Sequence, residues 1–358
     1  MVIAMKLVIF GLAVSSSWGN GHAVLWRALI RAFAKRGHWV VFFERDVPYY
    51  AQNRDLTSLE GGRLVLYSGW EGVLPEARRA LSDADAGMVT SYCPDALAAT
   101  DLLLDAPSLH VFYDLDTPVT LAELAAGKQV DYIGPDGLAP FDLVLSYTGG
   151  IALTALRQKL GAKRVAPLYG SVDPDRYRPA AAPDRGRAAL SYLGTYADDR
   201  QDALNAFFIE PARQRPAAHF VIGGAQYPAD FPWAENIFFF RHLASYQHPE
   251  FDASARLTLN VTRRAMASFG WCASGRLFEA SACAAPIISD WWEGLDEFFV
   301  PDREILIART TDDVLAAVDR SNAELTAIGT AGLERTLAAH TAEHRAIELE
   351  TLLSQHWE

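Results

Sequence analysis

Short apolar segments that alternate with helical segments run along the whole 358-residue chain. In the first half, the apolar segments lie at residues 6–13, 38–44, 63–67, 87–91, 109–113, 142–146 and 164–168. In the second half, they lie at residues 189–193, 219–222, 236–240, 256–260, 286–289 and 304–307, before two amphipathic helices at 311–322 and 323–356. Strands separated by helices usually pair in parallel, with helices on both faces of the sheet. The sequence therefore predicts an α/β protein of two doubly wound, Rossmann-like halves facing an interdomain cleft.

The length of the chain also favours two domains, because a usual domain has about 100 to 200 residues. The segment 172–183 is rich in proline and charge and has no periodicity, which is typical of a linker. We therefore expect one domain at residues 1–180, on the acceptor side, and a second at 181–358, on the donor side. The last helix is free to cross back to the first domain.

Charge and cysteine content exclude several kinds of partner and site. The formal net charge of −12 repels a polyanion, so we expect no nucleic-acid partner. The three cysteines form no Cys-x-x-Cys pair, which fits a reducing compartment and gives no zinc site. No segment reaches the roughly 18 to 20 apolar residues of a spanning helix, and the apolar opening has no clear signal-peptide cleavage pattern. We expect a cytoplasmic protein with no membrane span.

A glycine-containing loop joins the first predicted strand to the first predicted helix. It consists of Trp18, Gly19, Asn20, Gly21 and His22. Glycine lets a ligand approach the backbone closely, and a helix start favours negative charge. A tight turn with His22 at the helix start is one alternative. A dinucleotide fingerprint is another, because Glu44 and Asp46 follow after about 20 residues, although Val24 occupies the place of the third glycine.

Two acidic residues, Asp114 and Asp116, directly follow a predicted strand. Carboxylates in this position can orient sugar hydroxyls or support general-base catalysis. A pair with this spacing is also compatible with a divalent cation, and a helix cap by Asp116 or Thr117 is a structural alternative. We favour substrate contact and expect no metal.

Residues 269–290 combine an irregular loop, a short predicted helix and a buried strand. At the helix start Arg276 suits a diphosphate, and Glu279 one turn later can accept hydrogen bonds from ribose hydroxyls. The alternative is an Arg276–Glu279 pair on a solvated helix face, which contributes only about 0.2 to 0.5 kcal/mol.

This block resembles the donor-binding signature of retaining nucleotide-sugar glycosyltransferases of the GT-B fold. The whole chain resembles the CgeB-like branch, named for spore-maturation proteins. The resemblance covers nearly the full length, through blocks that occur in the expected order at residues 18–22, 43–50, 114–118, 274–279 and 290–295.

The resemblance implies a donor site in the second half. Glu279 matches the second glutamate of the family's E-x(7)-E motif, which holds the donor ribose, while Trp271 stands at the first glutamate. The segment 194–200 resembles the G-x(5)-K loop, with Arg200 where the diphosphate-binding lysine usually lies. The implied donor-binding residues are Gly194, Thr195, Arg200, Ser274, Gly275, Arg276 and Glu279.

The first half carries the remaining candidates. Asp114 or Asp116 matches the place where related enzymes have a histidine near the donor sugar and acceptor. We therefore take Asp114, Asp116 and His22 as catalytic candidates. The phosphate or acceptor loop is formed by Trp18, Gly19, Asn20 and Gly21.

The sequence thus predicts an enzyme that moves a sugar from a UDP- or dTDP-linked donor to a small-molecule, glycan or protein acceptor. The resemblance implies retention of configuration. Fixed cations and backbone dipoles would stabilise the leaving diphosphate, so no metal or cofactor is expected. Two alternatives stay open: a nucleotide-sugar epimerase of the same fold, and a catalytically silent sugar-nucleotide binder. The second is suggested by Trp271 and by Ala284-Ala285, where the family commonly has a glycine.

Overall fold

The computed structural model describes residues 4–181, 187–241 and 243–355 and divides the chain into two compact units. The first unit runs up to Gly170 and also includes the segment from Ala342 onward, and the second is Ser171–Thr341. The division thus lies ahead of the expected linker rather than at residue 180. Residues 182 and 183 of that linker and residue 356 of the last predicted helix lie outside the described part of the chain. The cleft between the halves stays a prediction.

The strands match the predicted apolar segments along the whole chain. They are β1 Lys6–Gly11, β2 Trp39–Arg45, β3 Gly62–Tyr67, β4 Ala86–Thr90, β5 Leu109–Asp114, β6 Leu143–Ser146, β7 Val165–Pro167, β8 Leu190–Leu193, β9 Phe220–Gly224, β10 Ile237–Arg241, β11 Thr258–Asn260, β12 Ile287–Asp290 and β13 Leu306–Ala308.

Helices separate most of the strands. They are α1 Gly21–Lys35, α2 Pro48–Ala51, α3 Trp70–Leu81, α4 Ala96–Leu104, α5 Thr117–Ala125, α6 Ile151–Leu160, α7 Gln201–Leu204, α8 Glu210–Gln214, α9 His248–Ala253, α10 Arg264–Ala267, α11 Gly275–Ala282, α12 Leu295–Phe298, α13 Thr311–Val318, α14 Asn322–Ala339 and α15 Ala342–Ser354. None of these helices is both long and apolar enough to cross a bilayer.

Each unit contains one parallel sheet of the same topology. The first sheet has the order β3-β2-β1-β4-β5-β6-β7, and the second has the order β10-β9-β8-β11-β12-β13. Every strand pair in both sheets is parallel, as the alternation of strands and helices predicts. The strand order reverses between β1 and β4 and between β8 and β11. Ligands of such sheets bind outside the carboxyl ends of the strands at these switch points.

The two units have separate hydrophobic cores. Phe10, Phe43 and Phe112 lie in the core of the first unit, and Tyr192, Phe208 and Phe220 lie in that of the second. Burying one large apolar side chain contributes about 1.5 to 3 kcal/mol, so each core stabilises its own sheet. On α1 one apolar face is buried at Ala28, Leu29, Ala32 and Phe33. Each unit therefore presents its switch point on its own stable scaffold.

The prediction of a single helix over residues 323–356 is wrong. Helix α14 ends at Ala339, and α15 begins at Ala342. Between them, the carbonyl oxygen of His340 accepts a hydrogen bond from the amide of Val172 at 3.1 Å, and Thr341 forms a parallel bridge with Val172. These contacts come from a distant part of the sequence, so the local helical periodicity did not reveal the break.

Candidate functional site

In the first unit, the buried carboxylate of Glu44 holds the loop between β1 and α1. The amides of Val14 and Ser15 donate to its Oε2 at 2.7 and 2.9 Å, and the Ser15 hydroxyl donates to its Oε1 at 2.5 Å. In dinucleotide-binding proteins an acidic side chain in this position binds the ribose instead. Asp46 in turn is paired with Arg54 at 2.6 Å. The structure therefore argues against the dinucleotide alternative.

A second carboxylate, Asp55, fixes the same loop further along. It accepts a hydrogen bond from the amide of Ser17 at 3.1 Å and from Nη2 of Arg27 at 2.5 Å. Nε of Arg27 also donates to the carbonyl oxygen of Val14 at 2.8 Å. Burial acts to raise the pKa of Asp55, but the hydrogen bonds from Arg27 and Ser17 hold it below its usual value. The loop is thus ordered before any ligand binds.

The four residues of the predicted phosphate or acceptor loop lie at the start of α1. Gly19 has a φ of +59°, a conformation that favours glycine. Asn20 precedes the helix, and its Nδ2 donates to the carbonyl oxygen of Ala13 at 3.3 Å. Trp18 is 36% exposed, and no heavy atom lies within 4 Å of the place where a Cβ of Gly21 would be. The backbone at the start of α1 is accordingly approachable.

Three side chains from different loops converge beside this helix start. His22 Nε2 lies 4.0 Å from Asp116 Oδ2, and both side chains are about one quarter exposed. The hydroxyl of Tyr92 donates to the same Asp116 oxygen at 3.1 Å. Burial, and then the charge of Asp116, raise the pKa of Tyr92, so its hydroxyl stays a donor. The structure thus brings together two motifs that the sequence offered separately.

Asp114 lies beneath this group and is fully buried. Its Oδ1 accepts hydrogen bonds from the amide of Asp116 and the hydroxyl of Thr120, each at 3.1 Å. Burial raises the pKa of Asp114 to about 6. A buried side chain does not meet a ligand at the surface, so Asp114 positions Asp116 in this arrangement.

The helix-cap alternative for this motif finds no support in the contacts. Asp116 occupies the position before α5, but its side chain makes no capping hydrogen bond. The Thr117 hydroxyl instead bonds with Ser146 Oγ at 2.7 Å. Throughout the part of the chain that the structure describes, no group of three or more His, Cys, Asp or Glu side chains could hold a metal ion.

In the second unit, the loop after β8 carries Gly194, Thr195 and Arg200. The carbonyl oxygen of Gly194 accepts a hydrogen bond from the Tyr227 hydroxyl at 3.0 Å. A Cβ at Gly194 would lie 2.7 Å from the Tyr192 hydroxyl, so a larger residue would force the loop to move. Arg200 Nη1 donates to the carbonyl oxygen of Thr195 at 3.2 Å, which turns the guanidinium back over the loop.

The start of α11 is tied to the ends of two neighbouring strands. Ser274 Oγ donates to Asn260 Oδ1 at 3.0 Å, and Asn260 Nδ2 donates to Ser289 Oγ at 2.9 Å. Ser274 is the N-cap residue, but its side chain does not cap the helix. The amide of Leu277 donates to the carbonyl oxygen of Ser274 at 3.1 Å, whereas the Ser274 side chain leaves the amides of Gly275 and Arg276 available to an anion.

Tyr227 lies within electrostatic range of two guanidinium groups. Burial raises the pKa of Tyr227, and the charges of Arg276 and Arg200 oppose this change. Arg276 also lies over the ring of Tyr192, with its Cζ 5.9 Å from the ring centroid. The Nε atoms of both arginines are buried and have no hydrogen-bond partner among the described residues. Unsatisfied cationic donors of this kind suit a phosphate group.

Glu279 lies one helical turn further along and forms no ion pair with Arg276 in the described part of the chain, contrary to the solvated-pair alternative. Its Oε2 is instead 3.8 Å from Nδ1 of His248. Asp252 is buried nearby, and burial raises its pKa to about 7. The charge of His248 lowers this pKa, and the charge of Glu279 raises it further. The Glu279 side chain is 19% exposed, so a ligand can reach it.

Trp271, at the place of the missing motif glutamate, packs against another predicted block. Its backbone has a φ of +42°, and its amide donates to the carbonyl oxygen of Glu293 at 2.7 Å. A Cβ at Gly294 would lie 2.5 Å from the Trp271 ring. The tryptophan therefore sits directly on Gly294.

Several site residues are not among the candidates that the sequence predicts. They are Tyr192, Tyr227, His248 and Asn260. Tyr192 and Asn260 lie at the carboxyl ends of β8 and β11, which are the predicted binding edges. That position is a usable signal, whereas nothing local in the sequence marks Tyr227 and His248.

Comparison with known proteins bears on the fold and on the class of protein. A family model described as glycosyl transferase-like matches residues 200–351. The sucrose-phosphate synthase of Thermosynechococcus elongatus superimposes with a TM-score of 0.73 at 15% identity, covering 99% of both chains. The chain has the GT-B fold and carries a glycosyltransferase domain. This confirms the predicted fold and the predicted enzyme class.

Two further GT-B structures were solved with nucleotides. HepE of Anabaena, in complex with UDP and glucose, gives a TM-score of 0.67 at 11% identity, covering 98% of this chain and 100% of HepE. An alpha-glucosyltransferase in complex with UDP-glucose and abasic DNA gives 0.70 at 14% identity, with the same coverage. Comparison with curated proteins by sequence finds no significant match.

Proposed function

We propose that this protein transfers a sugar from a nucleoside diphosphate sugar, bound by its second unit, to an acceptor, with retention of configuration and without a metal. The observation that carries the proposal is the pair Arg200 and Arg276. Their buried Nε atoms lack partners among the described residues, and Arg276 lies in the first turn of α11, whose N-cap side chain leaves the helix start uncapped. Cationic donors and helix amides together suit a diphosphate.

The donor contacts follow from the chemistry of each group. Arg200, Arg276 and the first-turn amides of α11 bind the diphosphate, and Glu279 accepts hydrogen bonds from the ribose hydroxyls. UDP is the first nucleotide to test, because HepE and the alpha-glucosyltransferase were solved with UDP or UDP-glucose. dTDP is the second, since a similar pyrimidine would fit the same contacts.

Catalysis in this proposal is electrostatic. Breaking the sugar–phosphate bond builds negative charge on the leaving diphosphate, and fixed cations and dipoles stabilise that charge more than they stabilise the bound donor. In the first unit, His22 and Asp116 are the proposed catalytic side chains, while Asp114 and Tyr92 hold Asp116 in place. A product anomer that differs from the donor anomer would contradict retention.

The proposed acceptor is a small molecule, a glycan or a protein. The alpha-glucosyltransferase was solved with DNA, but the net charge of −12 on this chain opposes a nucleic-acid acceptor. We also propose that the chain belongs to the CgeB-like branch and acts in the cytoplasm. Its cysteines are free and buried, which fits a reducing compartment.

The arginines supply the first testable prediction. Arg276→Ala and Arg200→Ala should each lower the rate of sugar transfer about 100-fold, because each removes a cation from the leaving diphosphate. UDP release from UDP-sugars and calorimetric binding of UDP measure the two effects separately. Arg264→Ala is the matched control, since this arginine of the same unit is 70% exposed and pairs only with exposed Asp202 in the described contacts.

An unchanged rate in both arginine variants would refute the proposed diphosphate site. A wild-type protein that binds UDP but releases none from UDP-sugars, across small-molecule, glycan and protein acceptors, would instead support a silent binder. Trp271 in place of a glutamate is the feature that favours this second candidate. Trp271→Glu then tests whether the missing carboxylate restores transfer.

A further inference from the structure

Strand β10 forms an open edge of the second sheet and carries a run of exposed aromatic residues. It pairs with β9 on one side only. Phe238, Phe239 and Phe240 are 48%, 38% and 49% exposed. Phe239 is held firmly, because its ring packs 5.1 Å from those of both Tyr227 and Trp233. The edge is therefore a rigid apolar platform.

The other sheet edges carry the features that normally prevent edge pairing. Strand β7 is three residues long and ends in Pro167, and β13 is also three residues long and mostly buried. Strand β3 carries Arg63, which is paired with Glu76. Short strands, prolines and charges all discourage a further strand from adding. Strand β10 has no such feature between its ends, so it is suited to binding another strand.

The backbone of β10 presents alternate residues to a new partner. The amide of Phe220 in β9 donates to the carbonyl oxygen of Asn236 at 3.0 Å. Because the direction of the hydrogen-bonding groups alternates along a strand, the even-numbered residues of β10 face β9. The amide of Ile237 already donates to the carbonyl oxygen of Ala234 at 3.0 Å. The outward groups left for a partner strand are therefore the carbonyl oxygen of Ile237 and the amide and carbonyl groups of Phe239 and Arg241.

We propose that two copies of this chain associate through antiparallel pairing of their β10 strands, with Phe238 opposite Phe238. This register places Ile237 opposite Phe239, and both residues have outward-facing backbone groups. It also brings Glu235 of each copy toward Arg241 of the other, and both side chains are exposed. The charges at the two ends are therefore complementary to a second copy of the same strand.

A second copy fits this edge better than an unrelated occupant. A two-fold interface uses the same patch on both chains, so it closes and buries both edges at once. Phe238 faces its own copy and Phe239 faces apolar Ile237, and opposite charges across antiparallel strands favour the pairing. A shift of one residue in the register would place residues whose backbone groups face β9 opposite residues whose backbone groups face the partner strand. It would also separate Glu235 from Arg241.

Sedimentation velocity of the full chain over a range of concentrations tests the proposal. The wild type should form a dimer, and Arg241→Glu or Glu235→Arg should each raise the dimer Kd about tenfold or more, since two like-charge pairs replace two attractive ones. The double variant E235R/R241E restores opposite charges and should regain the wild-type Kd. Circular dichroism checks that each variant is folded.

A second variant tests the backbone pairing without the charges. Phe239→Pro removes an outward amide that β9 does not use, so the sheet should persist while the dimer is lost. A wild type that stays monomeric would overturn the proposal. So would a folded double variant that fails to regain dimerisation, or a monomer that instead floats with phosphatidylcholine vesicles through these aromatic residues.

Discussion

At the scale of single residues, the buried carboxyl of Asp114 links stability to pH. Its folded-state pKa is about 6, raised by burial, whereas an unfolded aspartate has a pKa of about 3.9. The folded chain therefore holds this proton more tightly than the unfolded chain does. Its contribution to stability is fully present below pH 4 and is lost as the pH rises toward 6.

Asp114→Asn removes this dependence. Relative to the wild type, the variant should gain roughly 2 to 3 kcal/mol in the free energy of unfolding between pH 4 and pH 7. Urea denaturation at the two pH values measures this change. Asp105→Asn, at a solvent-exposed position, is the control. An equal difference between Asp114→Asn and the wild type at both pH values would refute the assigned burial effect.

The sequence predicts which residues belong to the candidate site better than it predicts what each of them does there. His22 and Asp116 were both chosen from the sequence, and the structure places them 4.0 Å apart. Asp114 and Asp116 were indistinguishable by spacing, yet one is buried and the other reaches the surface. Burial depends on which helix covers the strand end, and no local pattern gives that.

At the scale of elements, helix α11 ends in a left-handed backbone conformation that is unfavourable for alanine. This conformation also explains why a glycine is common at this place in the family that the sequence resembles. After the helix, the amide of Ala284 donates to the carbonyl oxygen of Ser281 at 2.9 Å. The amide of Ala285 donates to the carbonyl oxygen of Ala280 at 3.1 Å. This is the Schellman pattern, whose left-handed position is usually glycine. Ala284 occupies that position with a φ of +55°.

Ala284→Gly should therefore stabilise the protein by about 1 kcal/mol, since it relieves the left-handed strain of a residue with a Cβ. Chemical denaturation measures the change. Ala285→Gly is the matched control, because its φ is not positive and it is buried, so it should destabilise. Loss of stability in Ala284→Gly would show that the methyl group contributes more by packing than it costs in strain.

At the scale of the whole molecule, the chain returns to its first unit at the end. Helix α15 packs on α1, and Glu350 Oε2 accepts a hydrogen bond from Arg36 Nε at 2.5 Å. The amide of Met5 donates to Nδ1 of His38, which leaves the imidazole Nε2 facing the same carboxylate at 3.3 Å. The hydrogen bond from Arg36 holds the pKa of Glu350 below its usual value. Its stabilisation is therefore present above about pH 4.3 and is lost as the pH falls further.

Glu350→Gln should lower the free energy of unfolding by about 1 kcal/mol at pH 7, because it removes the ionic part of these contacts. At pH 3 the difference between the variant and the wild type should be smaller than at pH 7, since the wild-type glutamate loses its charge as the pH falls through its lowered pKa. Thermal unfolding at the two pH values measures both effects. Glu334→Gln, at an exposed position of α14, is the control, and an equal loss in this variant would refute the specific role of Glu350.

The sequence by itself determined the two parallel sheets and the strand ends that carry the site. Apolar periodicity and strand–helix alternation are local properties, and parallel pairing brings the carboxyl ends of strands to one edge. Only the tertiary structure decided that Asp114 is buried under Asp116, that the last helix breaks at His340, and that β10 is left open. Each of these depends on contacts between residues far apart in the chain, which local patterns do not encode.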